Sequence, residues 1–409
     1  MPILLEEDLQ RPLPRMYRVR QQFDETRLED VAGTVRAELA KPEIRALVKP
    51  GMRIAAGSRG IQNLYTIVET TVNSLKELGA EPFIVSAMGS HGGGTEEGQR
   101  EVLAGYGITE ERLGVPVVTT VDTVYLGNCA NGRPVWFDRA AYEADLIVPI
   151  NRVKLHTDFV GPIQSGLCKM LVIGLGNHKG CSAVHEEAPE VFADAIEETA
   201  RLILQKAPVG FGIAILENAY DKTYAVEAVP AEHLVEREKE LVQIAKGNMP
   251  YIMLDEADVI VCGAIGKDIS GAGFDPNILG RSSVLKQFVL HIPRYQRLVL
   301  CDVTPASHGN GIGVGLFDVI TKKVAEQLDL ESMYANAIAC NCLGDASVPC
   351  TVDDEETAIR VALKCCRNID RDHPRIIRIQ NTLHLGEIEV SEALLDAVRA
   401  DSRMSLIEN

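Results

Sequence analysis

The chain is 409 residues long and 46% hydrophobic, with a mean hydropathy of +0.02 and a formal net charge of −17. This length can bury a large core and predicts two domains, and no apolar run approaches the roughly twenty residues that cross a bilayer. The acidic balance argues against nucleic acid as a partner, because binding its backbone needs a basic stripe that is not found. An anionic substrate would need a locally basic pocket. The start, Met1-Pro2-Ile3-Leu4-Leu5-Glu6-Glu7-Asp8, carries acids where a secretion signal carries bases, so a cytoplasmic protein without a membrane partner is expected. The ten cysteines follow neither a disulfide framework nor a Cys-x-x-Cys zinc pattern, and reduced thiols are expected.

In chain order, residues 53–56 read as a strand, 62–78 as a helix ending at Gly79, and 82–88 as a strand ending at Gly89, together a βαβ unit. A helix over 96–104, a strand over 115–120 and a buried strand over 144–150 follow. The pattern predicts an α/β fold of two domains, each a mostly parallel sheet flanked by helices, with the active site in the cleft between them. In such sheets ligands sit off the carboxyl ends of the strands. Three loops fall there: Gly57-Ser58-Arg59-Gly60, residues 89–95 and residues 151–157. A helix over 188–206, a strand over 210–216 and a solvated, charged helix over 231–246 complete the first domain, 1–250. The second, 251–409, reads as strands at 251–254, 257–262, 297–303 and 376–379 and helices at 315–328, 355–367 and 391–398.

Four of the nine histidines, His91, His156, His178 and His185, gather with Lys154 and Lys169 around these loops. Imidazole exchanges protons near neutral pH and is the commonest metal ligand, so the cluster points to proton or metal chemistry. His91, between a strand end and the Gly92-Gly93-Gly94 run, is placed as a general base or as a plain loop histidine. Gly92, Gly93 and Thr95 form either a phosphate cradle or a flexible connector. His156 follows two cations, Arg152 and Lys154, which attract carboxylates or phosphates. Lys169 lies in a nearly chargeless stretch, where an amine is paired, deprotonated, covalently modified or snorkelling. His178 and His185 would share a helix face, but Gly176 and Gly180 argue against a continuous helix. Lys267 and Arg281 are candidate carboxylate clamps from the second domain.

Ala87-Met88-Gly89-Ser90-His91, followed by Thr95-Glu96-Glu97, resembles the Thr-Gly-x-His…Thr-Glu-Glu signature of nickel-dependent lactate racemases and their homologues. The resemblance covers the N-terminal domain, which it makes the cofactor-binding and catalytic one, and touches the Gly263 to Asp268 turn of the second, which would close the site. It implies a nickel pincer nucleotide, pyridinium-3,5-bisthiocarboxylic acid mononucleotide nickel, attached covalently to Lys169. It further implies His185 as nickel ligand, His178 as its neighbour at the cofactor, His91 and His156 as acid and base, and Arg59 as a substrate-carboxylate contact. Enzymes that synthesise the cofactor are then partners. Two departures stand out: the acid of the family's Asp-x-x-Arg is absent from Ala56-Gly57-Ser58-Arg59, and its Asn-Leu-Tyr-Gln-x-x-Lys is replaced by Ser270-Gly271-Ala272-Gly273-Phe274-Asp275-Pro276. The first reading is therefore a racemase or epimerase of a small 2-hydroxy acid other than lactate, working by reversible hydride transfer. The alternatives are a zinc- or other metal-dependent hydrolase or lyase using His178 and His185, and a non-catalytic protein that binds a nucleotide or metal.

Overall fold

A computed structural model describes residues 4–58, 61–89 and 91–408. The chain forms two units, Glu25–Met249 and a second made of Met1–Asp24 with Pro250–Asn409. Residues 1–24, read from the sequence as part of the first domain, lie with the second because they supply its strand β1 (Met16–Gln21).

The Glu25–Met249 unit contains β2 (Arg53–Ser58), β3 (Glu81–Ser86), β4 (Val117–Val118), β5 (Thr123–Asn128), β6 (Pro134–Asp138), β7 (Leu146–Arg152), β8 (Phe211–Glu217) and β9 (Thr223–Pro230). Its main sheet has the order β4-β3-β2-β7-β8-β9, parallel except for the β8/β9 pair. Uninterrupted apolar runs such as Leu146-Ile147-Val148-Pro149-Ile150 suit strands covered on both faces. Ile54, Ala56, Val148 and Ile213 pack with Ile67, Val68 and Val72 of the helix Leu64–Glu77 in one core. Strand order reverses between β2 and β7, so the crevice at their carboxyl ends is where a ligand is expected in a doubly wound sheet. β5 and β6 form a separate antiparallel hairpin with no counterpart in the sequence reading.

The second unit contains β10 (Val259–Cys262), β11 (Arg297–Leu300), β12 (Val319–Thr321), β13 (Cys350–Val352), β14 (Ile376–Ile379), β15 (Glu387–Ser391) and β16 (Met404–Leu406). With β1 they make one sheet, β13-β12-β11-β10-β14-β15-β1-β16, parallel from β13 to β14 and antiparallel beyond. Residues 251–254, buried from Ile252 to Leu254, form no strand. The side chain of Gln21 holds their backbone instead, with Nε2 donating to Tyr251 O at 3.3 Å and Oε1 accepting from Met253 N at 2.7 Å. The helix expected at 315–328 is split into β12 and the helix Lys322–Gln327, which Thr321 caps. Val319 and Ile320 sit deep in the sheet, and that burial overrides the helical pattern. No helix among the described residues is long and apolar enough to cross a membrane.

Candidate active site

The loop after β7 builds the site. Lys154 and Ser165 exchange backbone hydrogen bonds of 2.9 and 3.2 Å, pinching residues 155–164 into a projection that carries His156. Gln164 Oε1 accepts from His156 N at 2.8 Å, and the ring stacks on Phe159 with centroids 4.3 Å apart. Asp158 N donates to His156 Nδ1 at 3.0 Å, so in the neutral ring the proton sits on Nε2. Lys169 Nζ meets that Nε2 in a short contact.

Lys169 ends a three-residue helix, Leu167–Lys169, which runs into a π-helix, Met170–Gly174. The wider π-turn is packed under the loop after β3: Gly89 N donates to Gly174 O at 3.1 Å, and a Cβ on Gly174 would lie 2.7 Å from Ala87 O. On this seat His91 folds back so that Nδ1 donates to Met88 O at 2.9 Å, which leaves the lone pair of the neutral ring on Nε2. Gly92, Gly93 and Gly94 all have positive φ (64°, 68° and 65°), a run only glycine tolerates without strain. Thr95 starts the helix Glu96–Gly105, its hydroxyl accepting from Gly98 N at 3.1 Å and donating to Gly92 O at 3.2 Å. That hydroxyl is an N-cap.

A cleft of about 540 Å³, open to solvent, lies at the carboxyl ends of β2 and β7 and is lined by Ile61, Asn151, Arg152, Lys154, Lys169 and Ile173 among others. Lys154 and Lys169 make this lining locally basic, as an acidic protein needs for an anionic ligand, while Arg152 is paired with Glu217. A second cavity of about 400 Å³, in the other unit, is bordered by Arg360 and Lys364, which are tied to Arg11 O and Asp8. It is a structural joint.

The expectation that Gly180 interrupts the helix around the last two histidines is corrected: Asn177–His185 is one helix. Gly180 is there for packing, since a Cβ would lie 3.0 Å from Trp136 O on β6. Asn177, at φ 50°, anchors the helix start by donating to Asp138 Oδ2 at 2.8 Å. Burial raises the Asp138 carboxyl to about 6. His185 Nδ1 donates to Cys181 O at 2.7 Å, and its ring meets Phe192 at 5.1 Å, which in turn meets Phe159 at 4.8 Å. The string His156, Phe159, Phe192, His185 thus brackets Lys169. The Cys181 thiol raises the imidazole's pKa, against burial and the nearby Lys169 charge, which lower it.

His178 is exposed two turns earlier, about 10 Å along the axis from His185. The two rings cannot share one ion, and among the described residues no three His, Cys, Asp or Glu side chains cluster as a metal site. Arg59 lies outside the described residues. In the other unit, Lys267 Nζ donates to Gly271 O at 2.7 Å and contacts Asn336, and Arg281 is spent on Asp318 at 2.6 Å. The Gly271 to Pro276 stretch is a folded turn. Gly266 N donates to Gly273 O at 2.7 Å and Phe274 is fully buried, so open space remains only at Gly271.

One buried acid beside Lys169 escaped the sequence reading. Glu238, in the helix Leu234–Asn248, is fully buried, and its Oε2 accepts from Cys168 N at 2.8 Å. The charged run 231–246 hid it as one more solvated acid.

Residues 12–194 match the model of the lactate racemase N-terminal domain. Over this segment, less than half of its length, the chain is a homologue of the lactate racemase N-terminal domain. The matched segment holds His91, His156, Lys169, His178 and His185 and excludes Lys267. The homologue's fold is similar to the lactate racemase apoprotein of Thermoanaerobacterium thermosaccharolyticum, with a TM-score of 0.52 and 14% identity over 89% of this chain and 93% of that one. It is also similar to a structural-genomics protein from Thermotoga maritima, with a TM-score of 0.50 and 13% identity over 80% and 85%. Among curated proteins none matches the homologue. The homology supports an isomerase of racemase or epimerase type.

Proposed function

We propose that the protein racemises or epimerises a small 2-hydroxy carboxylic acid other than lactate, using a nickel pincer nucleotide tethered to Lys169 with His185 as its protein nickel ligand. The observation that carries this reading is the contact of the Lys169 amine with His156 Nε2 beside a basic cleft. Because His156 Nδ1 already accepts from Asp158 N, the ring meets the Lys169 amine through Nε2, which holds the amine at the cleft where a tether would form. His185 fits a nickel ligand for a related reason: its Nδ1 donates to a backbone carbonyl, which fixes the tautomer and turns the Nε2 lone pair outward. When bound, the nucleotide would supply a hydride acceptor for the substrate's α-carbon.

The chain's own residues manage the protons and the carboxylate. One of His91 and His156 takes the hydroxyl proton as the carbonyl forms, and the other returns one when the opposite enantiomer is made. Arg59 and Lys267 are assigned to the substrate carboxylate, and Gly92, Gly93, Thr95 and His178 to the nucleotide's surroundings, with the Thr95 hydroxyl restricted by its cap. The departure at 270–276 from the family's polar contacts is the reason for a substrate other than lactate. The ten cysteines, which follow no disulfide framework, suit the cytoplasm, where the cofactor-synthesis enzymes would load the protein.

Intact-mass and nickel measurements on protein made alongside those enzymes test the reading. An adduct mapped to Lys169, with one nickel and interconversion of a 2-hydroxy acid, is expected; a tightly bound nucleotide without turnover would favour a binding protein. His185→Ala is expected to lose the nickel and His178→Ala to keep most of it. Metal retained in His185→Ala and lost in His178→Ala would reverse the ligand assignment.

A further inference from the structure

The helical run Leu167–Gly174 begins with amides that its own turns cannot satisfy, so the group that accepts from them helps to set where Lys169, in the first turn, points. That group is Glu238. Its carboxyl accepts from the backbone N–H groups of Leu167 and Cys168 and from the Cys168 thiol. It does so with no ion-pair partner among the described residues, and its Oε1 has no hydrogen-bond partner there. A serine or asparagine cap would do the same work without desolvating a carboxylate. The backbone is shaped around this acid: a Cβ on Gly166 would lie 2.6 Å from its Cδ.

We propose that Glu238 is the positioning residue for Lys169, gripping the start of the lysine's helix so that the amine is delivered to His156. This rests on Lys169 being the attachment site. Burial raises the carboxyl to about 7, so the grip changes with ionisation near neutral pH. The groups facing it are few. The Cys168 thiol touches it, burial and Glu238 keep that thiol protonated, and Glu197 and Arg201 of the helix Phe192–Lys206 act on the same thiol with opposite signs.

The test reads Lys169 without the nucleotide. Nucleotide-free protein is treated briefly with an amine-acylating reagent from pH 6 to 8, and labelling of Lys169 is divided by that of the exposed Lys322, using peptide mass mapping. Above pH 7 the carboxylate grips the helix and the amine is held on His156; below it the grip loosens. The ratio should therefore rise about fivefold from pH 8 to pH 6, the size of one helix cap. In Glu238→Gln, which keeps the shape and lacks the charge, the ratio should be flat. A fivefold step that survives in Glu238→Gln belongs to His156 and overturns the proposal, as does a flat wild-type profile. Thermal melting supplies a second readout. A carboxyl whose folded pKa is raised stabilises the fold below the unfolded carboxylate range, and that contribution is lost as pH rises through about 7. The melting temperature of Glu238→Gln should thus gain on wild type between pH 5 and pH 8, and a constant difference would count against a buried, titrating acid. If the labelling step is found but the loaded protein carries its adduct elsewhere, the tether assignment fails and the positioning of Lys169 by Glu238 stands.

Discussion

Lys169→Arg is expected to give a folded protein that never acquires the nucleotide and shows only background racemisation. Arginine keeps the charge and much of the length, but its guanidinium stays protonated and offers no lone pair for a covalent bond. The change also removes the amine that meets His156 Nε2 while leaving the cap on Leu167 and Cys168 in place. Intact mass after production with the cofactor-synthesis enzymes checks it: wild type gains the adduct and the variant does not. An adduct in the variant, or one that maps to Lys154 or Lys179 in the wild type, would end the assignment.

Loss of His91 or His156 should be nearly as damaging. Each imidazole serves both directions, accepting a proton from one enantiomer and supplying one to the other, so His91→Ala and His156→Ala should slow both directions equally. The expected loss is about 10²- to 10⁴-fold, the usual size of a general acid or base contribution. The two variants should differ in loading. His91 is held by Met88 O, whereas His156 touches the lysine amine, so His156→Ala should lower adduct occupancy more than His91→Ala. Rates are therefore compared per nickel bound. Full activity in either alanine variant, normalised this way, would rule out the two-base scheme.

Much of the site was legible because its strands are uniform. β2, β3 and β7 are apolar along nearly their whole length, so their ends, and the loops holding His91 and His156, could be placed without knowing the sheet order. What the sequence hid was held by tertiary contacts. Gly180 looks like a helix breaker until β6 lies against it, and Asn177 adopts a left-handed start that only the buried Asp138 explains. Glu238 is one of seven charged residues from Glu232 to Lys246, and nothing in their order marks the one that turns inward. β1, with Arg18 and Arg20 facing out, shows only a weak alternation, and its partners are far away in sequence.

That distance has a consequence for how the chain is made. β1 leaves the ribosome before the other strands of its sheet, and its two partners, β15 and β16, leave after them. At 5–20 residues per second the wait is roughly 20–70 s, during which both edges of β1 are unpaired. The Glu25–Met249 unit, whose strands are continuous in sequence, can complete its fold within that interval. The unit proposed to carry the chemistry is thus an insertion in a sheet that cannot close until β15 and β16 have been made, and the final eight-stranded order records that both have emerged.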